Sequence, residues 1–192
     1  ASNVEMNKER TGYHFVCVAQ LVERKQHQLL LHALKEIKGD WQLTLLGRGP
    51  LKPSLQKLAS ELEINTQIRW IESLENNEAQ DLIANSDTLL LASNEEGWGA
   101  VVNEAISKGT RVIASDAVGA SCLCDLPDAG NVFISGSVID LKRALESHHA
   151  RGCVTSDERL RRAALSEKFD GLAMANYFMD VMDGRATASP WK

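Results

Sequence analysis

The sequence lacks any uncharged stretch long enough to cross a bilayer. The longest, Thr11 to Val22 and Ala129 to Ile139, fall well short of the ~18 residues a spanning helix needs. It lacks a charged start followed by an apolar run and a small-residue cleavage site, and it has no Asn-x-Ser/Thr acceptor, so the expected address is the cytoplasm. Cysteine is scarce. Of Cys17, Cys122, Cys124 and Cys153 only Cys122 and Cys124 are close, as C-x-C, which favours reduced thiols over a disulfide framework or a zinc site. Positive charge is in deficit: 21 basic against 26 acidic residues give a net charge of −5, which repels a nucleic-acid backbone and excludes a polyanion partner. There is no short-period repeat and no low-complexity tract, so solenoid and linker readings fall away.

What is there is a chain of 192 residues, 44% apolar and 24% charged, the profile of one globular domain with a core that needs no disulfide or metal. Residues 14–183 are expected to form it, with 1–13 and 184–192 as tails. Phe15 to Ala19 is a short continuous apolar run, the pattern of a strand buried on both faces. From His27, Leu30, Leu31, Leu34 and Ile37 mark one helical face, closed by Lys38-Gly39-Asp40. The unit recurs as Gln42–Leu46 then Leu51–Leu62, Gln67–Ile71 then Glu78–Ala84, and Thr88–Ala92 then Gly99–Lys108. Further strands are expected at Arg111–Ala114 and Asn131–Ile134, and helices around Val138–His149, Ser156–Glu167 and Leu172–Met182. Strands alternating with helices predict an α/β fold: a Rossmann-like, doubly wound, parallel sheet of about six strands with helices on both faces.

In such a sheet a ligand binds outside the carboxyl ends of the strands, which singles out particular loops. Glu95-Glu96-Gly97-Trp98-Gly99 leads into a helix beginning Ala100-Val-Val-Asn-Glu104. Its glycines allow close backbone approach, and the N–H groups around Gly97 to Ala100 favour an anion. Glu104 is placed to accept hydrogen bonds from a vicinal diol such as a ribose, and Glu96 to take hydroxyls elsewhere on the ligand. Trp98 reads equally as a stacking residue or a core plug. Arg24-Lys25, after the first strand, offers cations for a diphosphate. Gly47-Arg-Gly49-Pro50 follows the second strand and lacks the third glycine of a dinucleotide fingerprint, so an NAD site is rejected. His148-His149 reads as a solvated helix end rather than a metal site, and Trp70 as sheet core.

Over about residues 14–182 these segments resemble the C-terminal, donor-binding half of a group 1 glycosyltransferase of the GT-B architecture. Ser93-Asn-Glu-Glu96-Gly-Trp-Gly-Ala-Val-Val-Asn-Glu104-Ala is similar to that family's E-x7-E signature. Lys108-Gly109-Thr-Arg-Val-Ile-Ala-Ser resembles its next strand entry, with Arg111 where proline is usual, while Leu21 to Ala33 and Leu45 to Pro50 resemble its first loop and second strand end. The resemblance implies retaining transfer of a sugar from a nucleotide-diphosphate donor, UDP or GDP type, to an acceptor held by an N-terminal domain that this chain does not contain. It implies roles as well: Glu96 and Lys25 as catalytic residues, on the transferred sugar and the diphosphate; Glu104 on the ribose; Gly97, Trp98, Gly99, Ala100, Gln20 and Arg24 in substrate binding.

No cofactor or metal is expected, since cations and backbone dipoles can stabilise the departing diphosphate and no Asp-x-Asp motif occurs. Ala19-Gln20 stands where many members have Gly-Arg, which removes one usual cation unless Arg24 or Arg48 replaces it. That departure keeps a non-catalytic nucleotide-sugar-binding or interaction module open as the alternative. The last helix resembles the family's terminal helix that reaches back to the N-terminal domain, and an exposed apolar face there would favour a homodimer. Any membrane association is expected through the acceptor or the absent domain.

Overall fold

The structure, a computed structural model, describes residues 12–169 and 171–185. Residues 1–11 and 186–192, read above as parts of the tails, lie outside the described residues. The elements alternate as expected: β1 (Tyr13–Val18), α1 (His27–Lys35), β2 (Trp41–Leu46), α2 (Lys52–Glu61), β3 (Ile68–Ile71), α3 (Asn76–Ala84), β4 (Thr88–Leu91), α4 (Val101–Ser107), β5 (Arg111–Ser115), β6 (Gly130–Phe133), α5 (Val138–Ala150), α6 (Ser156–Ala163) and α7 (Gly171–Met182). All strand pairs are parallel, in the order β3-β2-β1-β4-β5-β6. A 3-10 helix, Gly119–Asp125, lies between β5 and β6; its three-residue turn carries no 3.6-residue apolar period to betray it in the sequence.

Period-two alternation divides the core between the two faces of the sheet. Tyr13, Phe15 and Cys17 of β1 join Leu43, Leu45, Leu90, Ile113 and Phe133 beneath α1, α2 and α5. Val16 joins Leu89, Leu91, Val112 and Ala114 beneath α4 and the 3-10 helix. Every residue of β4 and β5 is buried, which is why those strands read as unbroken runs. The later helices are fixed by their starts: the Ser137 hydroxyl accepts from Asp140 N, and Thr155 and Glu158 form a reciprocal capping box at α6. No helix among the described residues is long and apolar enough to cross a membrane.

The amino end of the sheet holds a buried polar network. His148 is fully buried, which corrects the expectation of a solvated helix end: α5 lays its last turn across the strand starts. Its Nε2 faces Asn131 Oδ1 at 2.9 Å and its Nδ1 faces Thr88 Oγ1 at 2.9 Å, while the Tyr13 hydroxyl meets Thr88 Oγ1 at 2.6 Å. The Arg111 guanidinium, also fully buried, donates to Gly152 O at 2.9 Å, Glu158 Oε1 at 3.1 Å and the Tyr13 hydroxyl at 3.4 Å. Arg162 pairs with Asp128, which Arg151 also reaches. Burial, reinforced by the charges of Arg111, Arg151 and Arg162 against the opposing Asp128, pushes the His148 imidazole down to about 3. It is neutral at physiological pH.

Candidate functional site

The order of the sheet reverses between β1 and β4, so the chain leaves these neighbouring strands in opposite directions and opens a crevice at their carboxyl ends. The β1 loop ends in a 3-10 turn, Glu23–Lys25; the β4 loop carries Ser93 to Gly99. They are tied together by Asn94 N donating to Arg24 O at 2.9 Å. Three side-chain donors converge on one oxygen, Glu96 Oε2: Lys25 Nζ, Arg24 Nη1 at 3.4 Å and Ser93 Oγ at 3.5 Å. Arg24 Nη1 also donates to Glu95 O at 3.2 Å. The side chains of Lys25 and Glu96 are only 10% and 16% exposed. Burial alone would push the Glu96 carboxyl up; the hydrogen bond and charge of Lys25, then Arg24, overcome it and hold the carboxyl below the usual carboxylate range.

Two glycines shape the second loop by steric need. Gly99 sits at φ +91°, and a Cβ there would lie 3.0 Å from Leu91 Cδ2 and Val118 Cγ1; at Gly119 a Cβ would strike Gly97 O. Gly97 differs. A Cβ there meets nothing within 4 Å, so the clearance beside it is open to a ligand. Glu96 N and O are taken by Ala117 O and Gly119 N, and Trp98 O by Ala120 N, but among the described residues no backbone carbonyl accepts from Gly97, Gly99 or Ala100. Because α4 has only 7 residues, these loop amides, more than a long helix dipole, make the loop receptive to an anion.

Glu104, on the first turn of α4, is half-buried, and its carboxylate has no hydrogen-bond or ion-pair partner among the described residues. Trp98 is 37% exposed, with Nε1 donating to Asn103 Oδ1 at 2.8 Å; it is not a core plug. Gln20 is exposed and lines an adjoining cleft of about 410 Å³, walled by Val18, Ala19, Leu46, Gly47 and the β3–α3 segment from Glu72 to Ala79. Arg48, one of the two candidates to replace the usual cation, donates to Ser73 Oγ at 2.8 Å on this cleft's rim, and Lys52 donates to Glu72 at 2.7 Å. Arg24, not Arg48, therefore stands beside Lys25. Trp70 packs half-buried against the core.

The sequence reading missed the polar supports of the site. Ser93, fully buried, sets the height of the loop: the Ser115 hydroxyl donates to its carbonyl while its own hydroxyl faces Glu96. Its place as first residue of the signature was the available signal. Beneath Lys25, His27 Nε2 lies 3.8 Å from Cys17 Sγ. Burial, then the Lys25 charge, pushes His27 down to about 4, and burial pushes the Cys17 thiol up to about 12. Both are neutral, so this pair is no nucleophile and base. Among the described residues no three His, Cys, Asp or Glu side chains gather as metal ligands.

Comparison with known proteins identifies the family and the fold. The family model described as "Glycosyl transferases group 1" matches residues 3–165. A lipopolysaccharide core biosynthesis glycosyltransferase, LpsE, of Rhizobium meliloti is 26% identical over 144 residues, covering 75% of this chain and 40% of that protein. A lipopolysaccharide outer core galactosyltransferase, WaaB, in its apo form superposes with a TM-score of 0.81 at 22% identity, over 94% of this chain and 51% of that one. The C-terminal domain of a group 1 family protein, LpcC, from Francisella tularensis superposes with a TM-score of 0.67 at 20% identity, over 80% of this chain and 82% of that one. The chain thus spans 40% of the curated relative's length. It belongs to the group 1 glycosyl transferases, with the fold of their C-terminal domain.

Proposed function

We propose that this chain binds the nucleotide-diphosphate sugar for a retaining glycosyl transfer whose acceptor is held by a part of the parent protein outside it. The observation that carries this is the convergence of Lys25, Arg24 and Glu96 at the β1/β4 crevice, beside the open amides of Gly97, Gly99 and Ala100 and the unpartnered Glu104. Glu104 receives the ribose hydroxyls, Lys25 and Arg24 the diphosphate with Gln20 donating from the rim, and the cleft beside Gln20 the base. Glu96 meets hydroxyls of the transferred sugar, and the exposed ring of Trp98 is offered to the ligand for stacking. In the transfer the bond from the anomeric carbon to the β-phosphate oxygen breaks, a bond from that carbon to the acceptor oxygen forms, and the acceptor proton leaves with the nucleoside diphosphate. Cations and amides oppose the charge that grows on the departing diphosphate, which needs no metal.

Leu172, Met179, Val181 and Met182 of α7 are exposed. In this reading they meet the acceptor-binding part of the parent; a homodimer is the competing occupant, and both leave the donor site as described. The names of relatives point to lipopolysaccharide and related glycans as acceptors. A non-catalytic binding module is favoured by one feature, the missing cation at Gln20, and differs in showing no transfer or donor hydrolysis by the parent protein with any donor. The first test is titration calorimetry of the chain with UDP, GDP, ADP and CMP. One nucleotide is expected to bind selectively, and Glu104→Ala to weaken it about 10- to 100-fold, as for loss of a hydrogen bond to a charged group. Unchanged affinity in that variant overturns the ribose assignment.

A further inference from the structure

Both cations that face the crevice are already occupied. Lys25 Nζ and Arg24 Nη1 meet the same oxygen of Glu96, and the Lys25 and Glu96 side chains are shielded from water. With Gln20 at the rim and Arg48 turned to Ser73, no third cation among the described residues stands at this point of the crevice to receive a diphosphate. A phosphate entering between the two loops must therefore take Lys25 and Arg24 from Glu96. The carboxylate it displaces is half-buried and, once uncovered, lies beside the negative charge that displaced it. Two ligands leave it in different states. A nucleotide sugar brings hydroxyl donors to the displaced carboxylate; a bare nucleoside diphosphate brings none, and a half-buried carboxylate without donors beside a second anion is costly.

We infer that Glu96 discriminates between the nucleotide sugar and the nucleoside diphosphate left after transfer, by serving as the internal counter-anion of Lys25 and Arg24 whenever no sugar is present. The inference rests on the donor reading above and adds to it a role in release. Once the sugar has left, Glu96 loses its hydroxyl partners and competes for the cations again, which loosens the spent diphosphate and resets the crevice to the closed pair seen in the structure. The Glu96 carboxyl, held below the usual carboxylate range by Lys25 and Arg24 against the effect of burial, stays charged across the physiological range.

The test is calorimetric titration of wild type, Glu96→Gln and Glu104→Ala with the nucleoside diphosphate that binds and with its nucleotide sugar. Glu96→Gln keeps the shape and removes the charge. It is expected to bind the bare diphosphate about tenfold more tightly, roughly one charge-assisted hydrogen bond of competition, while its affinity for the nucleotide sugar stays level or falls. The ratio of the two affinities is the readout, and a merely structural Glu96 would move both ligands together. Glu96→Ser, too short to reach Lys25, repeats the test should the glutamine variant fold poorly. In Lys25→Gln/Glu96→Gln, compared with Lys25→Gln alone, the gain is expected to shrink. Unchanged or weaker diphosphate binding in both Glu96 variants, with Glu104→Ala still weakening it, overturns the inference and leaves the donor reading standing. No binding of any nucleotide by wild type or variants overturns both.

Discussion

At the amino end of the sheet, buried Arg111, Tyr13, Thr88 and His148 form a chain that ends on the exposed Asn131, each polar group facing the next, and the ion pairs of Arg162 and Arg151 close on Asp128 beside it. At the carboxyl end, Lys25 and Arg24 share a single carboxylate oxygen while Glu104 has no partner among the described residues. The chemical types are alike at the two ends. What separates them is saturation: apart from Arg111 Nε, which is buried without a hydrogen-bond partner among the described residues, the first set is spent on holding strands, helices and loops together, and the second is arranged so that something from outside can complete it. Charge near a strand end is thus not itself a functional signal; polar capacity left open beside accessible space is.

The largest expected effect comes from breaking the saturated end. Arg111→Ala removes the guanidinium from Glu158, Gly152 O and Tyr13 and leaves a cavity, and it is expected to cost about 3–5 kcal/mol. Urea unfolding reads the loss, and calorimetry on the protein that remains folded is expected to show nucleotide affinity unchanged within a factor of two or so. A loss below about 1 kcal/mol would mean that the network is decoration. A large fall in affinity would mean that the two ends are coupled through β4 and β5.

The next effect is one of pH. With the Asn131 carbonyl oxygen accepting from His148 Nε2, Nδ1 must accept from the Thr88 hydroxyl. Protonating Nδ1 would turn that hydroxyl back onto Tyr13, in a setting already crowded with Arg111, Arg151 and Arg162. His148 falls to about 3 and His27 to about 4 in the folded chain, both below an unfolded value of about 6.5. Their stabilisation is therefore fully present above pH 6.5 or so and is lost as pH falls from there towards the folded values, at up to about 1.4 kcal/mol per pH unit for each histidine. The carboxylates held low, Glu96, Asp128 and Glu158, lose their contribution in the same direction but further into acid. Unfolding free energies measured from pH 7 to 5 should fall in wild type, and about half of the slope should vanish in His148→Gln. An unaltered slope would place the proton uptake elsewhere.

The two ends were also unequally legible. The open end is local in sequence: Glu96 and Glu104 fall eight positions apart in one segment, and Arg24-Lys25 follows a recognisable strand, so spacing and strand order sufficed to bring them together. The saturated end is assembled from residues 13, 88, 111, 131 and 148. Only the finished sheet, with α5 folded back across it, brings them into contact. A histidine at the end of an amphipathic helix carries no sign of the asparagine and threonine it will meet. Arg111, noticed in sequence only as a replacement for proline, proves to tether the Gly152 loop and α6 to the strand starts. The choice of Arg24 over Arg48 was equally illegible, because it depends on which way two exposed arginines turn across a cleft.

The smallest expected effect would make the open end less open. Gln20 is exposed on the rim of the cleft at the end of β1, and Gln20→Arg sets a third cation beside a crevice whose two cations are both held by Glu96. The new guanidinium has no carboxylate assigned to it there, since Glu72 is engaged by Lys52, so its donors are free for a phosphate. Binding of the nucleoside diphosphate is expected to tighten about fivefold at low salt, the worth of one exposed charge-assisted contact. The gain should shrink at 0.5 M salt, where screening reaches an exposed group more than a shielded pair. Stability should stay within about 0.5 kcal/mol of wild type, as for most surface substitutions. A gain that survives high salt would show that the guanidinium is drawn into the shielded pair. No gain at all would show that diphosphate affinity is limited by the hold of Glu96 on Lys25 and Arg24 and not by the number of cations nearby.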